Sequence, residues 1–169
     1  YVRDMLLHKN NPEGFITADI DISVIGDAVA FAETAAKALG KELSAVYKKF
    51  GTALLETETV KIEFASARKE SYRSDSRKPV VEPAELKEDL SRRDFTVNAL
   101  SVSLTDKKNK IIDLFGGLSD LENKILRTPL DPETTFNDDP LRMMRACRFA
   151  SKLDFKIDDI TFAAIYKTR

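Results

Sequence analysis

The chain has 169 residues, 43% of them hydrophobic and 33% charged, and a net charge of −1. That is enough for a real core in one domain, or in one domain and part of another, and it reads as globular α/β or α+β. Charge so close to balance removes overall basicity as an argument for nucleic acid, so such a partner has to be found in local clusters. A lone cysteine, Cys147, excludes an internal disulfide framework and a Cys-ligated zinc site, and a lone histidine, His8, excludes a His-rich metal cage. No apolar run approaches the ~18 residues that span a bilayer. No signal peptide is visible, and a cytoplasmic address is the default. The chain opens at Tyr1 inside YVRDMLL and stops at Arg169 inside a helical pattern, which reads as part of a longer protein.

Val2, Met5, Leu6 and Leu7 form an apolar face at helical spacing, with Arg3 among them as a surface charge or something more. A polar connection with Pro12 and Gly14 leads to ADIDIS, residues 18–23. There Asp19 and Asp21 alternate with Ile20 and Ile22, the period of a half-buried strand. Alternation puts both carboxylates on one face, their Cα atoms roughly 7 Å apart, and the isoleucines on the other. Like charges aimed the same way call for a cation between them, and hard oxygen ligands suit Mg²⁺. Such a pair is half of a two-metal phosphoryl-transfer site, or else a solvated strand face. A helix follows with Asp27 as N-cap, an apolar stripe of Val29, Phe31, Ala32, Ala35, Ala36 and Leu39, and Gly40 as its C′ residue. A short strand is expected at 43–46 and a hairpin with strands at 52–56 and 59–66. In the second of these, Glu63 is the candidate third carboxylate, as ligand or as metal-orienting group.

Residues 67–83 are polar and basic with two prolines, and read as a loop. It offers Arg68, Lys69, Arg73, Arg77 and Lys78 to phosphates or to solvent. A short helix is expected at 84–90. Ser91-Arg92-Arg93-Asp94 then fits a capping box, which places Arg92 and Arg93 in a first helical turn. Free N–H groups beside two guanidinium groups make an anion site there. Phe95, Ala99 and Leu100 anchor that helix, with Asp94 and Asn98 on its exposed side. A hairpin around TDKKN, a helix at 118–123 and a strand at 124–127 complete a first region.

Residues 128–138 carry Pro129 and Pro132 without periodicity and mark a boundary. Asp139 as N-cap and Pro140 at N1 begin a helix. Its stripe of Leu141, Met144, Cys147, Ala150 and Leu153 would bury Cys147. Arg142, Arg145 and Arg148 recur every three residues as a slowly drifting basic ridge or an ordinary solvated face. Asp158 opens a last helix. Asp139 and Arg142 stand three apart at a helix start, one able only to accept hydrogen bonds and the other only to donate. Cytosine and adenine present an amine donor beside a ring-nitrogen acceptor, whereas guanine and uracil present a carbonyl beside a ring N–H. The pair therefore matches C and A, and predicts tighter binding of CTP and ATP than of GTP and UTP.

Together YVRDMLL, ADIDIS, FGTALLE, IEFASARKESY, SRRDFTVNALSV, IIDLFGGLSDLENKILRTP and DDPLRMMRACRFASKL resemble the bacterial-type tRNA nucleotidyltransferase and poly(A) polymerase family. That family lies in the DNA polymerase β nucleotidyltransferase superfamily. The resemblance runs through nearly the whole chain in order. It implies a head of residues 1–127 with a mixed five-stranded sheet, and the start of a helical neck over 128–169. It implies Asp19 and Asp21 as ligands of two Mg²⁺ ions, and Arg3 and Arg93 as triphosphate and nucleotide contacts. Asp139, Arg142, Arg145 and Arg148 match the neck residues that hold and select the incoming base. Three departures stand out. The Gly-Gly pair expected before Tyr1 is absent, the 8–18 connection is long, and the body and tail that grip tRNA are not in this chain. The activity implied is template-independent transfer of CMP and/or AMP from CTP and ATP to the 3′ end of tRNA. The alternatives are poly(A) addition to RNA, CC-only or A-only addition, and a silent nucleotide- or RNA-binding module.

Overall fold

The alternation of Asp19 to Ile22 becomes a strand, β1 (Asp19–Val24), as its two-residue period requires. It belongs to a computed structural model that describes residues 1–9, 19–73 and 76–168. The expected connection through Pro12 and Gly14 lies outside the described residues, as do the side chains of residues 70–81, Arg73, Arg77 and Lys78 among them. The chain forms two compact units, the first made of Tyr1, Arg3–Glu70 and Val81–Asp89, the second of Val2, Ser71–Val80 and Leu90–Arg169.

In the first unit α1 (Val2–Leu7) precedes β1, and α2 (Ala28–Ala38) follows it. Asp27 starts α2, its Oδ1 accepting the Val29 and Ala30 N–H groups at 3.0 and 3.1 Å, as its N-cap reading requires. Gly40 follows the helix end at φ +64°, the left-handed conformation that glycine adopts without a Cβ penalty. Then come β2 (Ala45–Tyr47), β3 (Thr52–Glu56) and β4 (Lys61–Ser66). They form one mixed sheet in the order β1-β4-β3-β2, with β1 parallel to β4 and the other pairs antiparallel. Among the described residues this sheet has four strands, one fewer than the expected five. Ala28, Ala32 and Ala36 let α2 lie close on Ala53, Leu55 and Phe64, with Ile22, Val24 and Ile62 packed around them. One face of the sheet is thus spent on the core.

The basic stretch expected as a loop is instead a two-stranded hairpin, β5 (Arg68–Arg73) with β6 (Ser76–Pro83). Its polar side chains gave no apolar alternation, so the strand period was hidden. α3 (Leu86–Ser91) follows. Ser91 is therefore the last residue of a helix and not the N-cap of another, and the capping box does not form. Arg92 to Asp94 make a turn that leads into a 3-10 turn at Thr96–Asn98. No first helical turn carries Arg92 and Arg93, so the N–H half of that anion site is lost.

In the second unit β7 (Ser101–Val102) and β8 (Ile111–Ile112) pair antiparallel around TDKKN. α4 (Gly117–Glu122), β9 (Ile125–Leu126), α5 (Pro132–Asp138), α6 (Leu141–Leu153), β10 (Lys156–Ile157) and α7 (Asp159–Thr168) follow. α5 occupies the stretch read as aperiodic. Its start carries the Asp-Pro signature of an N-cap and N1 pair, Asp131 accepting the Thr134 N–H at 2.9 Å. β10 pairs parallel with β9, a two-residue ladder too short to leave a pattern. Phe95, Val97, Leu126, Ala146, Phe149 and Phe155 form the core, with the Phe95 and Phe149 rings edge to face at 6.0 Å. Among the described residues no helix is long and apolar enough to cross a membrane.

α6 buries Arg142, Ala146 and Phe149, not the expected stripe. Leu141 and Met144 are exposed, and so is Cys147, which was expected inside. A helix turns about 100° per residue, so a strict three-residue repeat slips back about 60° at each step. Leu141 and Ala150 therefore end on opposite sides, whereas positions 142, 146, 149 and 153 stay together.

Gly117 sits where a β-carbon would overlap the carbonyl oxygen of Thr96. Asp113 holds it there, accepting the Gly117 and Leu118 N–H groups at 2.8 and 2.9 Å. Ala is normally the better helix former, but here the obstacle is backbone, which cannot step aside. Gly117→Ala is expected to cost about 2 kcal/mol or more, read as a lowered denaturation midpoint. A variant as stable as the parent would show that this approach is not close in solution.

Candidate active site

The register of the first unit decides what its polar face offers. Asp19 lies beside Lys61 and Asp21 beside Glu63 across the parallel β1–β4 pair, and Glu63 lies beside Leu54 of β3. Register partners share a face, so Asp19, Asp21, Ser23, Lys61 and Glu63 stand opposite the face that α2 covers. Asp19 and Asp21 are exposed and Glu63 is half-buried. This face can display hard oxygen donors because the apolar work is done on the other one. Among the described residues no three His, Cys, Asp or Glu groups converge to hold an ion by themselves. Glu63 thus stands next to Asp21 without completing a closed cage. Two carboxylates open to solvent fit a cation that keeps water and substrate oxygens as its other ligands, the habit of Mg²⁺.

Arg3 is not a free surface charge. Its side chain is largely covered, and its Nε and Nη2 donate to Asp4 Oδ1 at 2.8 and 2.6 Å. Arg68 donates from Nη1 to the Phe50 carbonyl at 3.4 Å. Lys69 pairs with Glu82 at 2.9 Å, and that bond and charge raise its pKa above the usual lysine value.

The second unit gathers the other sequence candidates around α6. α6 starts one residue later than expected, with Pro140 and not Asp139 at the N-cap position; Asp139 is extended just before it, and its Oδ1 still accepts the Leu141 N–H at 3.1 Å. Its Oδ2 lies 3.8 Å from Arg142 Nε, the side-by-side pair expected from the spacing. Arg142 is buried, and its Nη1 approaches the Thr135 carbonyl at 3.5 Å. The pair therefore pairs a fixed donor with an acceptor whose second oxygen is lightly used.

The three-residue repeat sends the other two arginines elsewhere. Arg145 donates from Nε and Nη2 to Asp94 Oδ2, at 2.8 and 2.7 Å. Asp94 is buried, not on an exposed side, and its Oδ1 also takes the Phe95 N–H and the Asn98 amide, each at 2.9 Å. Four donors on one carboxylate weld the SRRDFT turn to α6. Arg145 and Arg148 lie 5.2 and 5.8 Å over the Phe149 ring. Arg93 is half-buried in the turn just before Asp94. Further along the chain, Thr96 donates from its hydroxyl to Asp120 at 2.7 Å, and Arg127 bridges Asp120 and Asp158, each at 3.4 Å. Asp94 leaves no sign in the sequence that it is a hub, because its partner lies 51 residues away and the neighbouring letters fit a local cap.

Two exposed carboxylates on a strand face in the first unit, and an arginine-rich helix braced by SRRDFT in the second, are the kinds of group that a nucleotide-handling class of protein needs. The chain matches the Poly A polymerase head domain family over residues 1–127, and it belongs to that family. It is 44% identical over 161 residues to the A-adding tRNA nucleotidyltransferase of Aquifex aeolicus, an overlap of 95% of this chain and 18% of that protein. It is 39% identical over 173 residues to the CCA-adding enzyme of Enterococcus faecalis, covering 95% of this chain and 42% of that enzyme. A solved tRNA nucleotidyltransferase in complex with a primer tRNA and an incoming ATP analog superposes with a TM-score of 0.80. It is 39% identical and covers 99% of this chain and 44% of its own. The chain thus spans less than half the length of these relatives.

Proposed function

We propose that the protein containing this chain transfers CMP and/or AMP from CTP and ATP to the 3′ end of tRNA without a template, in the cytoplasm. The observation that carries this reading is the alternation of β1, which sets Asp19 and Asp21 together on an exposed face. It is supported by relatives named as A-adding and CCA-adding enzymes. Residues 1–127 are the catalytic head and 128–169 begin a helical neck.

In the reaction the RNA 3′-hydroxyl oxygen forms a bond to the α-phosphorus, the bond to the β-phosphate oxygen breaks, and pyrophosphate leaves. Asp19 and Asp21 would hold two Mg²⁺ ions, with Glu63 beside Asp21 as a third acidic group, and metal held there would supply the positive charge that lowers the pKa of the attacking hydroxyl and neutralises the triphosphate. Arg3 and Arg93 take phosphate oxygens. Asp139 and Arg142 read the base edge, an acceptor against the amine of C or A and a donor against its ring nitrogen. Arg145 and Arg148 hold the nucleotide, Arg145 with one edge already committed to Asp94.

The test offers the full-length protein each NTP separately with three tRNAs, one lacking CCA, one ending in C and one ending in CC. C added to the first two and A only to the third is the result for a complete CCA-adding enzyme. A added only to the third, and no C, makes it an A-adding enzyme like the Aquifex relative. Repeated A on any acceptor, or no extension at all, would overturn the reading.

A further inference from the structure

Among the described residues the most buried ionisable side chain is Asp89 on α3, 1% exposed. A carboxylate shut away from water is unfavourable unless protein donors replace its hydration. Its two oxygens reach two different segments. Ser23 donates its hydroxyl to Oδ2 at 3.1 Å, and the Arg68 N–H donates to Oδ1 at 3.3 Å. Ser23 follows Asp21 by two residues, so it shares the carboxylate face of β1. Arg68 is the first residue of the basic hairpin. Backbone bonds gather at the same spot. The Ala67 N–H donates to the Val24 carbonyl at 2.8 Å, and the Ala84 N–H donates to the Ala67 carbonyl at 3.1 Å. The end of the carboxylate strand and both feet of the hairpin thus meet where Asp89 is buried.

We infer that Asp89 is a positioning residue: by holding Ser23 and the Arg68 amide it fixes the strand that presents Asp19 and Asp21 against the arm that presents Arg68 and Lys69. It touches no substrate and acts through those two segments. The inference rests on Asp19 and Asp21 as metal ligands. Partners bonded directly to metal ligands govern metal affinity as well as rate, and Asp89 acts one step further out, through the strand that carries the ligands. Asn at position 89 keeps the shape and one acceptor but loses the charge and the second acceptor.

The experiment uses the full-length protein with Asp89→Asn, Ser23→Ala and the double variant. Mn²⁺ binding is followed by electron paramagnetic resonance in the presence of a non-hydrolysable ATP analogue, alongside kcat, KM and thermal midpoint. Asp89→Asn is expected to raise the Mn²⁺ half-saturation about tenfold and to lower kcat by a similar factor, with KM for nucleotide at saturating metal nearly unchanged. Ser23→Ala shifts the same quantities in the same direction by a smaller factor, and the double variant is no worse than Asp89→Asn alone, as for residues acting through one contact. A lowered thermal midpoint with unchanged Mn²⁺ half-saturation, or effects that add, would overturn the inference. Should Asp89→Asn fail to fold, Ser23→Ala decides by the same readouts. A parent protein that binds no Mn²⁺ would instead sink the metal reading itself, and this inference with it.

Discussion

Asp21→Ala in the full-length protein is expected to lower nucleotide transfer about a thousandfold, with Asp19→Ala doing the same. Metal charge at a developing phosphoryl transition state is worth several kcal/mol, and about 4 kcal/mol is a thousandfold in rate. Both side chains lie on the exposed face of β1, while the strand's stability comes from Ile22 and Val24 packed against the core beneath α2. Losing an exposed carboxylate there should change stability by no more than about 0.5 kcal/mol. Circular dichroism and thermal midpoint therefore stay at the parent values while turnover disappears. Substantial residual turnover in either variant would remove that residue from the metal set. Loss of fold would mean the two aspartates are part of the scaffold.

Asp139→Ala is expected to erase the preference for CTP and ATP over GTP and UTP, a change of about tenfold or more in the ratio of their affinities. The pair offers an acceptor beside a buried donor, and a wrong base leaves each facing a group of its own kind. Such an unpaired polar group costs about 1–3 kcal/mol, and every 1.4 kcal/mol is a factor of ten. Removing Asp139 also leaves buried Arg142 with the Thr135 carbonyl and without its carboxylate neighbour, so the variant should be less stable than the parent. Affinities are best measured well below the variant's midpoint by isothermal titration with each NTP. Equal affinity of the parent for all four nucleotides would refute the base-edge account before any variant is made.

Local chemistry was readable in the chain wherever one side chain settles its own neighbourhood. The Asp-Ile alternation of β1, the Asp27 cap and the Gly40 stop all follow from residue type and spacing, and each stands as expected. So do the β3–β4 hairpin and the Asp139–Arg142 pairing. Sequence pattern and structure part company where a local rule meets a distant partner. Ser91 to Asp94 has the letters of a capping box, but Asp94 is claimed by Arg145 and Asn98, and the chain turns there instead of coiling. The same physics corrected α6. Three-residue recurrence looked like a stripe for Leu141, Met144 and Cys147 and a ridge for the arginines. Helical drift instead carries Arg142 inward, Arg145 to Asp94 and Arg148 outward over Phe149. Burial of an arginine is the least expected of these from composition, and it depends on Asp139 and Thr135 lying at hand.

The carboxylate site was legible for the opposite reason. Its geometry is set by strand period alone, and the partner strand only adds Glu63 beside Asp21. What no pattern could show is the bracing: Asp89 reaches back 66 residues to Ser23. Contacts of that span depend on the finished fold, and they leave no period in the sequence.

The proposed function has Asp19 and Asp21 drive metal-dependent nucleotidyl transfer with C and A as the accepted bases. Its most direct test is pyrophosphate release by the full-length protein with a tRNA lacking CCA and with one ending in CC, measured with each NTP, with and without Mg²⁺. Release is expected from CTP with the first or from ATP with the second, and it vanishes on chelation. Release that persists without a divalent ion, or that is equal for GTP and UTP, would contradict it.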